Sequence, residues 1–268
     1  MSEELINKVL AEVVKKMGGD DPAPSAAPAP APTPAAGTLP AVTEFVGTNV
    51  LGDTIGMVIA NVDPKLRAMM KLEKDFRSIG ILGARTGAGP HIFAADEAVK
   101  ATNSEILTIE LPRDTKGGAG HGSLIIFGAE DVSDARRAVE VSLGELDRTF
   151  GDVYGNDAGH LEFQYTARAS YALNKAFGAP IGKAFGITVG GPAAIGVVLA
   201  DTAVKAATVD VIGYASPGDG TSFSNEVISF LSGDSGAVRQ AIIAAREVGI
   251  PLLGALGAKP ESTTTPYI

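Results

Sequence analysis

Apolar and polar residues follow one another along this chain in a pattern that predicts two rounds of the same strands and helices. In the first round, strands are predicted at 55–62, 78–82, 106–111 and 124–127, with helices at 64–74, 91–101 and from about 132. In the second, they are predicted as a strand at 161–167, a helix at 169–177, a strand at 184–192, a helix and strand within 201–217, a long helix, and a last strand at 251–256.

The last helix of each round carries small or apolar residues at helical spacing, which predicts a face turned to a core. These positions are Ala135, Ala138, Val139 and Ser142 in the first round, and Val238, Ala241, Ile242 and Ala245 in the second. Each round is therefore expected to form a small α/β unit, an α+β sandwich of one sheet with helices packed on it.

The order of elements repeats because part of the sequence repeats. Residues 96–112 read DEAVKATNSEILTIELP and residues 201–217 read DTAVKAATVDVIGYASP, with six identical positions at a constant offset of 105. Each copy predicts the end of a helix followed by a buried strand. From Ser123/Glu226 to Asp131/Asp234 the offset is 103, which places a two-residue difference in the intervening Gly-rich loop, where insertions are tolerated. The chain is therefore predicted to contain two copies of one domain, at 43–150 and 151–268.

The first 42 residues differ in character from the rest. Residues 1–17 predict an amphipathic helix whose apolar stripe includes Leu5, Ile6, Val9, Leu10 and Val13. Residues 18–42 are rich in Pro and Ala and predict a semi-rigid, extended linker. A short helix on such a tether is suited to binding another molecule, although docking on its own domain is the alternative.

The amino-acid composition of the chain argues against several classes of function. The chain has 45% hydrophobic and 20% charged residues, a net charge of −9 and no cysteine. The acidic balance argues against nucleic acid as a partner, and the lack of a long apolar run argues against a membrane span. Disulfides and thiolate metal sites are excluded. We expect an intracellular protein without cofactor or metal.

An enzyme is the weaker interpretation of the sequence. The Gly-rich stretches at 83–89 and 117–122 lack the spacing of a phosphate-binding loop. His91, His121 and His160 have no metal-ligand spacing and are interpreted as turn and surface residues, and Ser123 near His121 has no third triad member. No catalytic residue is therefore predicted.

Two stretches of the second copy carry a resemblance to a known family. VVLADTAVKAATVDVIGYASPGDG and VISFLSGDSGAVRQAIIAAREVG closely resemble the bacterial microcompartment shell domain, with its A-x-D-x-x-x-K-A helix and its G-D-x-G-A-V turn. The first copy keeps AADEAVKA but has GAEDVSDA at the turn, so it is more diverged. The resemblance covers about residues 45–257, and the strand and helix before each copy are similar to the circularly permuted tandem class.

The resemblance implies a structural role. Such proteins form homotrimers that act as pseudohexameric tiles and pack with other microcompartment shell proteins in the bacterial cytoplasm. The shell would enclose enzymes that process 1,2-propanediol or glycerol, admit these small diols and retain an aldehyde intermediate. The N-terminal helix would then anchor encapsulated enzymes such as diol or glycerol dehydratase. A small-ligand-binding or sensor module of paired α/β domains is the alternative.

The resemblance also assigns residues. Lys100 and Lys205 would lie at the tile edge. The alternative is that each lysine lies on a solvated helix face. The loops around the symmetry axis would supply pore residues that hydrogen-bond a passing diol, namely Arg113, Asp114, Thr115, Lys116, His121, Ser216, Asp219, Thr221, Ser222, Ser224 and Asn225. A second path could run between the two domains, lined by the Gly-rich turns at 83–90 and 189–192.

Overall fold

The computed structural model describes residues 42–72, 74–113, 121–220 and 224–268, which form part of one compact unit. The predicted N-terminal helix, with Leu5, Ile6, Val9, Leu10 and Val13, lies outside the described residues. Within the described ranges, no helix combines the length and hydropathy that crossing a membrane requires.

The first half of this unit is a five-stranded antiparallel sheet with three helices. The strands are β1 (Phe45–Asn49), β2 (Thr54–Ile59), β3 (Ser78–Ala84), β4 (Glu105–Glu110) and β5 (Ser123–Ala129), in the spatial order β1-β2-β3-β5-β4. The helices are α1 (Pro64–Met69), α2 (Ala88–Ala101) and α3 (Val132–Thr149), and a 3-10 turn spans Leu51–Asp53. Pro64 begins α1 and the Asp63 carboxylate caps it, but α1 ends before 74 because Lys71 adopts a left-handed backbone.

The second half repeats this arrangement. Its strands are β6 (Val153–Asn156), β7 (Gly159–Thr166), β8 (Ala184–Gly191), β9 (Asp210–Ala215), β10 (Val227–Gly233) and β11 (Glu261–Ser262), in the order β11-β6-β7-β8-β10-β9. Its helices are α4 (Tyr171–Phe177), α5 (Ala193–Ala206) and α6 (Ser235–Gly254). The four central strands therefore have the same order in both sheets, β2-β3-β5-β4 and β7-β8-β10-β9.

The helix faces predicted from the sequence are confirmed. All eight of the positions assigned to the inner sides of α3 and α6 are fully buried. The strand predicted at 251–256 is wrong, because α6 continues to Gly254 with Pro251 inside it. The buried residues Ile242, Ala245, Gly249 and Leu253 continue the helical spacing, so packing against the sheet extends the helix through an apolar run that resembles a strand.

The strand ladders correct the alignment of the two copies. Ile106 pairs with Phe127 in the first sheet, and Val211, its counterpart at offset 105, pairs with Leu231 in the second. The offset between β5 and β10 is therefore 104, and Ser123 corresponds to Val227 instead of Glu226. The offset falls to 103 at the helix caps Asp131 and Asp234. One residue of the length difference thus lies in the Gly-rich loop and the other in the turn after the strand.

The two copies of the predicted buried strand differ. Ile106 and Leu107 in β4 are buried, whereas Val211 and Tyr214 in β9 are exposed. The prediction is therefore wrong for the second copy. Both strands lie at a sheet edge, and burial of such a strand depends on what packs against it.

A single hydrophobic cluster joins the two halves. Phe93 of the first half stacks on Phe185 of the second at 6.0 Å between ring centroids, and Phe177 stacks on Phe230 at 4.9 Å. Leu82, Ile125 and other buried residues of the first sheet belong to the same cluster. The halves therefore share this cluster, in addition to clusters that belong to one half alone.

Two of the three histidines are not the turn and surface residues that we expected. His91 lies in α2 and is fully buried, with Nδ1 2.6 Å from the Gly87 carbonyl oxygen and Nε2 2.6 Å from the Thr54 hydroxyl. Both ring nitrogens thus have polar neighbours, which makes burial of a neutral imidazole tolerable. Burial lowers the pKa of His91 to about 4, against the hydrogen bond to Gly87 that acts to raise it. His160 lies in β7, largely enclosed.

Candidate functional site

The residues predicted for the pore loops fall into three groups. Asp114, Thr115, Lys116, Thr221 and Ser222 lie outside the described residues. Three others flank the loops: Arg113 and Asp219 are exposed, and Ser216 and Asp219 close a tight turn through two backbone hydrogen bonds of 2.6 and 2.9 Å. Of the remaining three, Ser224 is buried, His121 is half-buried and Asn225 is exposed.

His121 and Asn225 line cavities between the two domains. The Asn225 side chain also accepts a hydrogen bond of 3.3 Å from the backbone N–H of Ala193, at the start of α5. The Nε2 atom of His121 is buried and has no hydrogen-bond partner among the described residues. The structure therefore associates these two loop residues with the space between the domains.

Two cavities lie at the domain boundary and share one wall. The first has a volume of about 480 Å³ and is lined by Gly87 and Phe150 of the first domain and by His160 and Asn225 of the second. The second has a volume of about 370 Å³ and is lined mainly by apolar and aromatic groups, together with Gly89, His121, Phe177, Glu226 and Phe230. Glu162 lines both cavities, so its carboxyl group lies where they approach each other.

Three glycines at the cavity walls allow close packing, and one of them, Gly89, does so across the domain boundary. Gly87 has a left-handed backbone (φ 84°), and a Cβ there would overlap the Phe150 ring. A Cβ on Gly89 would lie 3.0 Å from Oε2 of Glu162, and one on Gly191 would lie 2.9 Å from Cε1 of His160. The Gly-rich turns expected to line an interdomain path thus do contribute to these cavities, and each of the three glycines has a steric reason to be there.

A buried cluster of three ionisable groups forms the shared wall. Nε2 of His160 lies 3.2 Å from Oε2 of Glu226 and 3.9 Å from Oε1 of Glu162. Burial raises the pKa of Glu162 to about 7, although the charge of His160 acts to lower it. Burial acts to lower the pKa of His160, but the adjacent Glu226 and Glu162 carboxylates outweigh it and raise that pKa. Both pKa values are therefore raised, because each group is buried and faces the charges of its neighbours.

This arrangement suits a small polar molecule better than it suits catalysis. Nδ1 of His160 and Oε2 of Glu226 have no hydrogen-bond partner within the described ranges, apart from the ionic contact of the pair itself. Hydroxyl groups could donate to the carboxylates and accept from the imidazolium. In the part of the chain that the structure describes, no three His, Asp or Glu side chains form a group that could hold a metal.

Sequence reasoning missed this cluster. Glu162 alternates with Leu161 and Phe163 along β7, a pattern that assigns it to a solvated face, yet the other domain covers that face. Glu226 was aligned with Ser123 through the wrong offset. His160 and Glu162 are two residues apart on β7 and therefore share a face. No signal in the sequence places Glu226 beside them, because it meets them through the register of the second sheet.

The two predicted tile-edge lysines have different surroundings. Nζ of Lys205 lies 2.7 Å from Asp201, and its side chain is 73% exposed, as in a solvated i,i+4 pair. Nζ of Lys100 lies 2.9 Å from Asp96 and Glu97 and 3.5 Å from the Thr166 hydroxyl of the second domain. The Asp96 carboxylate is buried, which corrects the expectation of an exposed pair. It accepts hydrogen bonds from the N–H groups of Ser170 and Leu173 at the start of α4.

Comparisons with known proteins agree with the repeat. The model of the BMC domain family matches residues 78–156 and again residues 184–257. These segments leave out the strand and helix that precede each copy, β2 with α1 and β7 with α4, which agrees with the expected circular permutation.

Full-length relatives are shell proteins. The chain is 62% identical over 269 aligned residues to the bacterial microcompartment shell protein PduB of Citrobacter freundii, covering 100% of this chain and 99% of that protein. It is 54% identical, with a TM-score of 0.83, to the crystal structure of a trimeric microcompartment shell protein PduB, over 85% of this chain and all of that one. EtuB from Clostridium kluyveri gives 56% identity and a TM-score of 0.82 with the same coverage. The chain therefore belongs to the bacterial microcompartment shell proteins, as a structural, non-enzymatic member with two BMC domains in tandem.

Proposed function

We propose that three copies of this chain form one pseudohexameric tile of a microcompartment shell in the bacterial cytoplasm. The observation that carries the proposal is the internal repeat, in which two sheets contain four strands in the same order and share a hydrophobic cluster. The trimeric relative of similar sequence supports it. We propose further that the shell encloses enzymes of 1,2-propanediol or glycerol metabolism, as the resemblance found in the sequence implies.

Molar mass and microscopy test the tile. Light scattering of the purified chain should give the mass of three copies, and electron microscopy at higher concentration should show flat hexagonal arrays. Lys100→Ala and Lys205→Ala should weaken the arrays without changing the mass of the trimer, if both lysines contact neighbouring tiles. A wild-type monomer that never tiles would contradict the proposal and favour a ligand-binding module.

The interdomain cavities support a route for diols within each subunit. Two cavities that meet at Glu162 offer apolar walls with one cluster of donors and acceptors. A diol can exchange hydration for hydrogen bonds to this cluster, whereas an aldehyde carries no hydroxyl donor. The loops at 113–122 and 218–225 remain the alternative route, around the threefold axis of the proposed trimer.

A pair of glycine substitutions distinguishes the routes. Gly89→Val should slow diol entry into reconstituted shells several-fold, because the added side chain fills the space beside Glu162 and Ile187. Gly218→Val is the matched control, since a Cβ there meets nothing within 4 Å and the residue belongs to the axial loop. Conversion of external glycerol or 1,2-propanediol by an enclosed enzyme measures entry, and light scattering checks that both variants assemble. Slower entry with Gly218→Val alone would place the route at the axis.

The N-terminal helix is proposed to anchor cargo. Its apolar stripe and its 25-residue linker suit the capture of an encapsulated enzyme such as diol or glycerol dehydratase, at a distance from the shell domains. Deleting residues 1–40 should leave the trimer and the arrays intact but strongly reduce the amount of enzyme that co-purifies with shells. Unchanged cargo content in shells of the truncated chain would contradict this assignment.

A further inference from the structure

A third cavity, of about 490 Å³, opens on the surface where the ends of α2, α3 and β7 meet the start of α6. It shares no described lining residue with the two cavities that meet at Glu162. Cations outnumber acids on its walls, although the whole chain carries a net charge of −9, so we call it the basic cavity. Its charged side chains are Glu97, Lys100, Glu145, Arg148, Arg168 and Arg239.

Both acids of the basic cavity are already paired. Nζ of Lys100 lies 2.9 Å from Oε1 of Glu97, and Nε of Arg148 lies 2.7 Å from Oε2 of Glu145. The other two cations, at positions 168 and 239, are exposed, and neither guanidinium group has a hydrogen bond or an ion pair among the described residues. The cavity therefore presents two guanidinium groups whose charge no acid of the described chain balances.

The first domain shows what the counterpart of Arg239 binds. Arg136 of α3 and Arg239 of α6 lie at the same distance from the aspartate that begins their helix, so they are equivalent in the repeat. Nη2 of Arg136 donates to the carbonyl oxygen of Thr43 at 3.0 Å and to that of Phe45 at 3.5 Å. At this place in the fold, a guanidinium group thus binds oxygen acceptors.

The second domain has a different chain path at the same place. In the first domain, the segment that leads into β1 lies beside β2, and the N–H of Val58 donates to the carbonyl oxygen of Glu44 at 2.8 Å. Tyr165 of β7 is equivalent to Val58 by the ladders, but its N–H donates to the hydroxyl group of Tyr267 at 3.2 Å. A side chain of the tail thus stands where the first domain has backbone, and Arg239 is left facing the cavity.

We propose that the basic cavity binds a phosphorylated small molecule, whose phosphate group accepts hydrogen bonds from Arg168 and Arg239. The planar fork of a guanidinium group matches the oxygens of a phosphate, and charge-assisted hydrogen bonds of this kind are strong. The volume is typical of a small-molecule site and exceeds what one phosphate group needs, so the cavity also has room for an organic part. Because the net charge of the chain repels anions, binding must come from these local donors.

Calorimetric titration of the purified full-length chain with ATP, glycerol phosphate and inorganic phosphate tests the proposal. We expect both organic phosphates to bind more tightly than inorganic phosphate. Arg168→Ala and Arg239→Ala should each weaken their binding about tenfold, because each removes charge-assisted hydrogen bonds. Both arginines are exposed, so circular dichroism should show that the variants fold as the wild type does.

Two further variants separate a specific site from general attraction to surface charge. Arg137→Ala removes the same charge from an exposed position on α3 outside the cavity, so it should bind as the wild type does. Arg239→Lys keeps the charge but loses the planar fork, so it should bind more tightly than Arg239→Ala and less tightly than the wild type.

Three results would overturn the proposal. The first is that none of the three probes binds, or that inorganic phosphate alone does. The second is an equal affinity in the wild type and in both cavity variants, Arg168→Ala and Arg239→Ala. The third is an equal loss in Arg137→Ala, which would show attraction to surface charge at large. The site lies within one chain, so these results do not depend on the proposed trimer.

Discussion

Asp96→Ala is expected to lower the free energy of unfolding by about 3 kcal/mol, whereas Asp201→Ala should change it by less than about 0.5 kcal/mol. The two aspartates occupy the same place in the repeat, but only Asp96 is buried. Its carboxylate accepts from Ser170 N, Ser170 Oγ and Leu173 N at 3.0, 2.8 and 3.2 Å. Removing it leaves the first N–H groups of α4 without an acceptor inside the shared core.

Urea denaturation at neutral pH and one fixed protein concentration measures this difference. The concentration must be held constant because association contributes to the stability of any oligomer. The comparison is informative because each variant loses one aspartate carboxylate and its i,i+4 contact with a lysine. The two variants differ only in whether that carboxylate is buried and caps α4. Equal losses for Asp96→Ala and Asp201→Ala would contradict the capping role and would attribute the effect to the helix surface alone.

Lowering the pH from 7 to 5 is expected to cost about 2 kcal/mol of stability through His91 alone. Burial holds the pKa of His91 at about 4 in the folded chain, below its ordinary value near 6.5. Between these values the unfolded chain binds a proton that the folded chain does not bind. The contribution is therefore fully present above pH 6.5 and is lost as the pH falls toward 4.

The difference between the wild type and His91→Gln isolates this contribution. His91→Gln should be less stable at pH 7, because it loses the contacts to Gly87 and Thr54, but its stability should fall less between pH 7 and 5. The measurement is the free energy of unfolding at several pH values. If the stability of His91→Gln fell as steeply between pH 7 and 5 as that of the wild type, the prediction would be contradicted. His91 would then have the same pKa in the folded and the unfolded chain.

The sequence predicted much of the fold because its signals are local. Helical spacing of Ala135, Ala138 and Val139 marked the inner side of α3, and the structure buries all three. The helix predicted from residue 64 does begin there, as α1. Local signals failed where packing decides the state of a segment, as at 251–256, where an apolar run continues a helix.

The candidate site could be predicted only in outline. The Gly-rich turns that line the interdomain cavities were recognisable as turns, but Glu162 and Glu226 carried no signal. His160 and Glu162 lie two residues apart on β7, but the position of Glu226 beside them depends on which residue of β10 pairs with which residue of β8. Ladder register is set by interactions between distant segments, so it cannot be counted along the chain.

The sequence by itself determined that this protein has two copies of one shell domain, the order of their strands and helices, and the faces that those helices turn inward. Only the tertiary structure decided that equivalent residues have unequal surroundings. Asp96 is a buried cap and Asp201 is a solvated acid, and Ile106 is covered while Val211 is exposed. The physical reason is that two copies in one chain make one contact with each other, which covers Ile106 and Asp96 of the first domain and leaves Val211 and Asp201 of the second exposed.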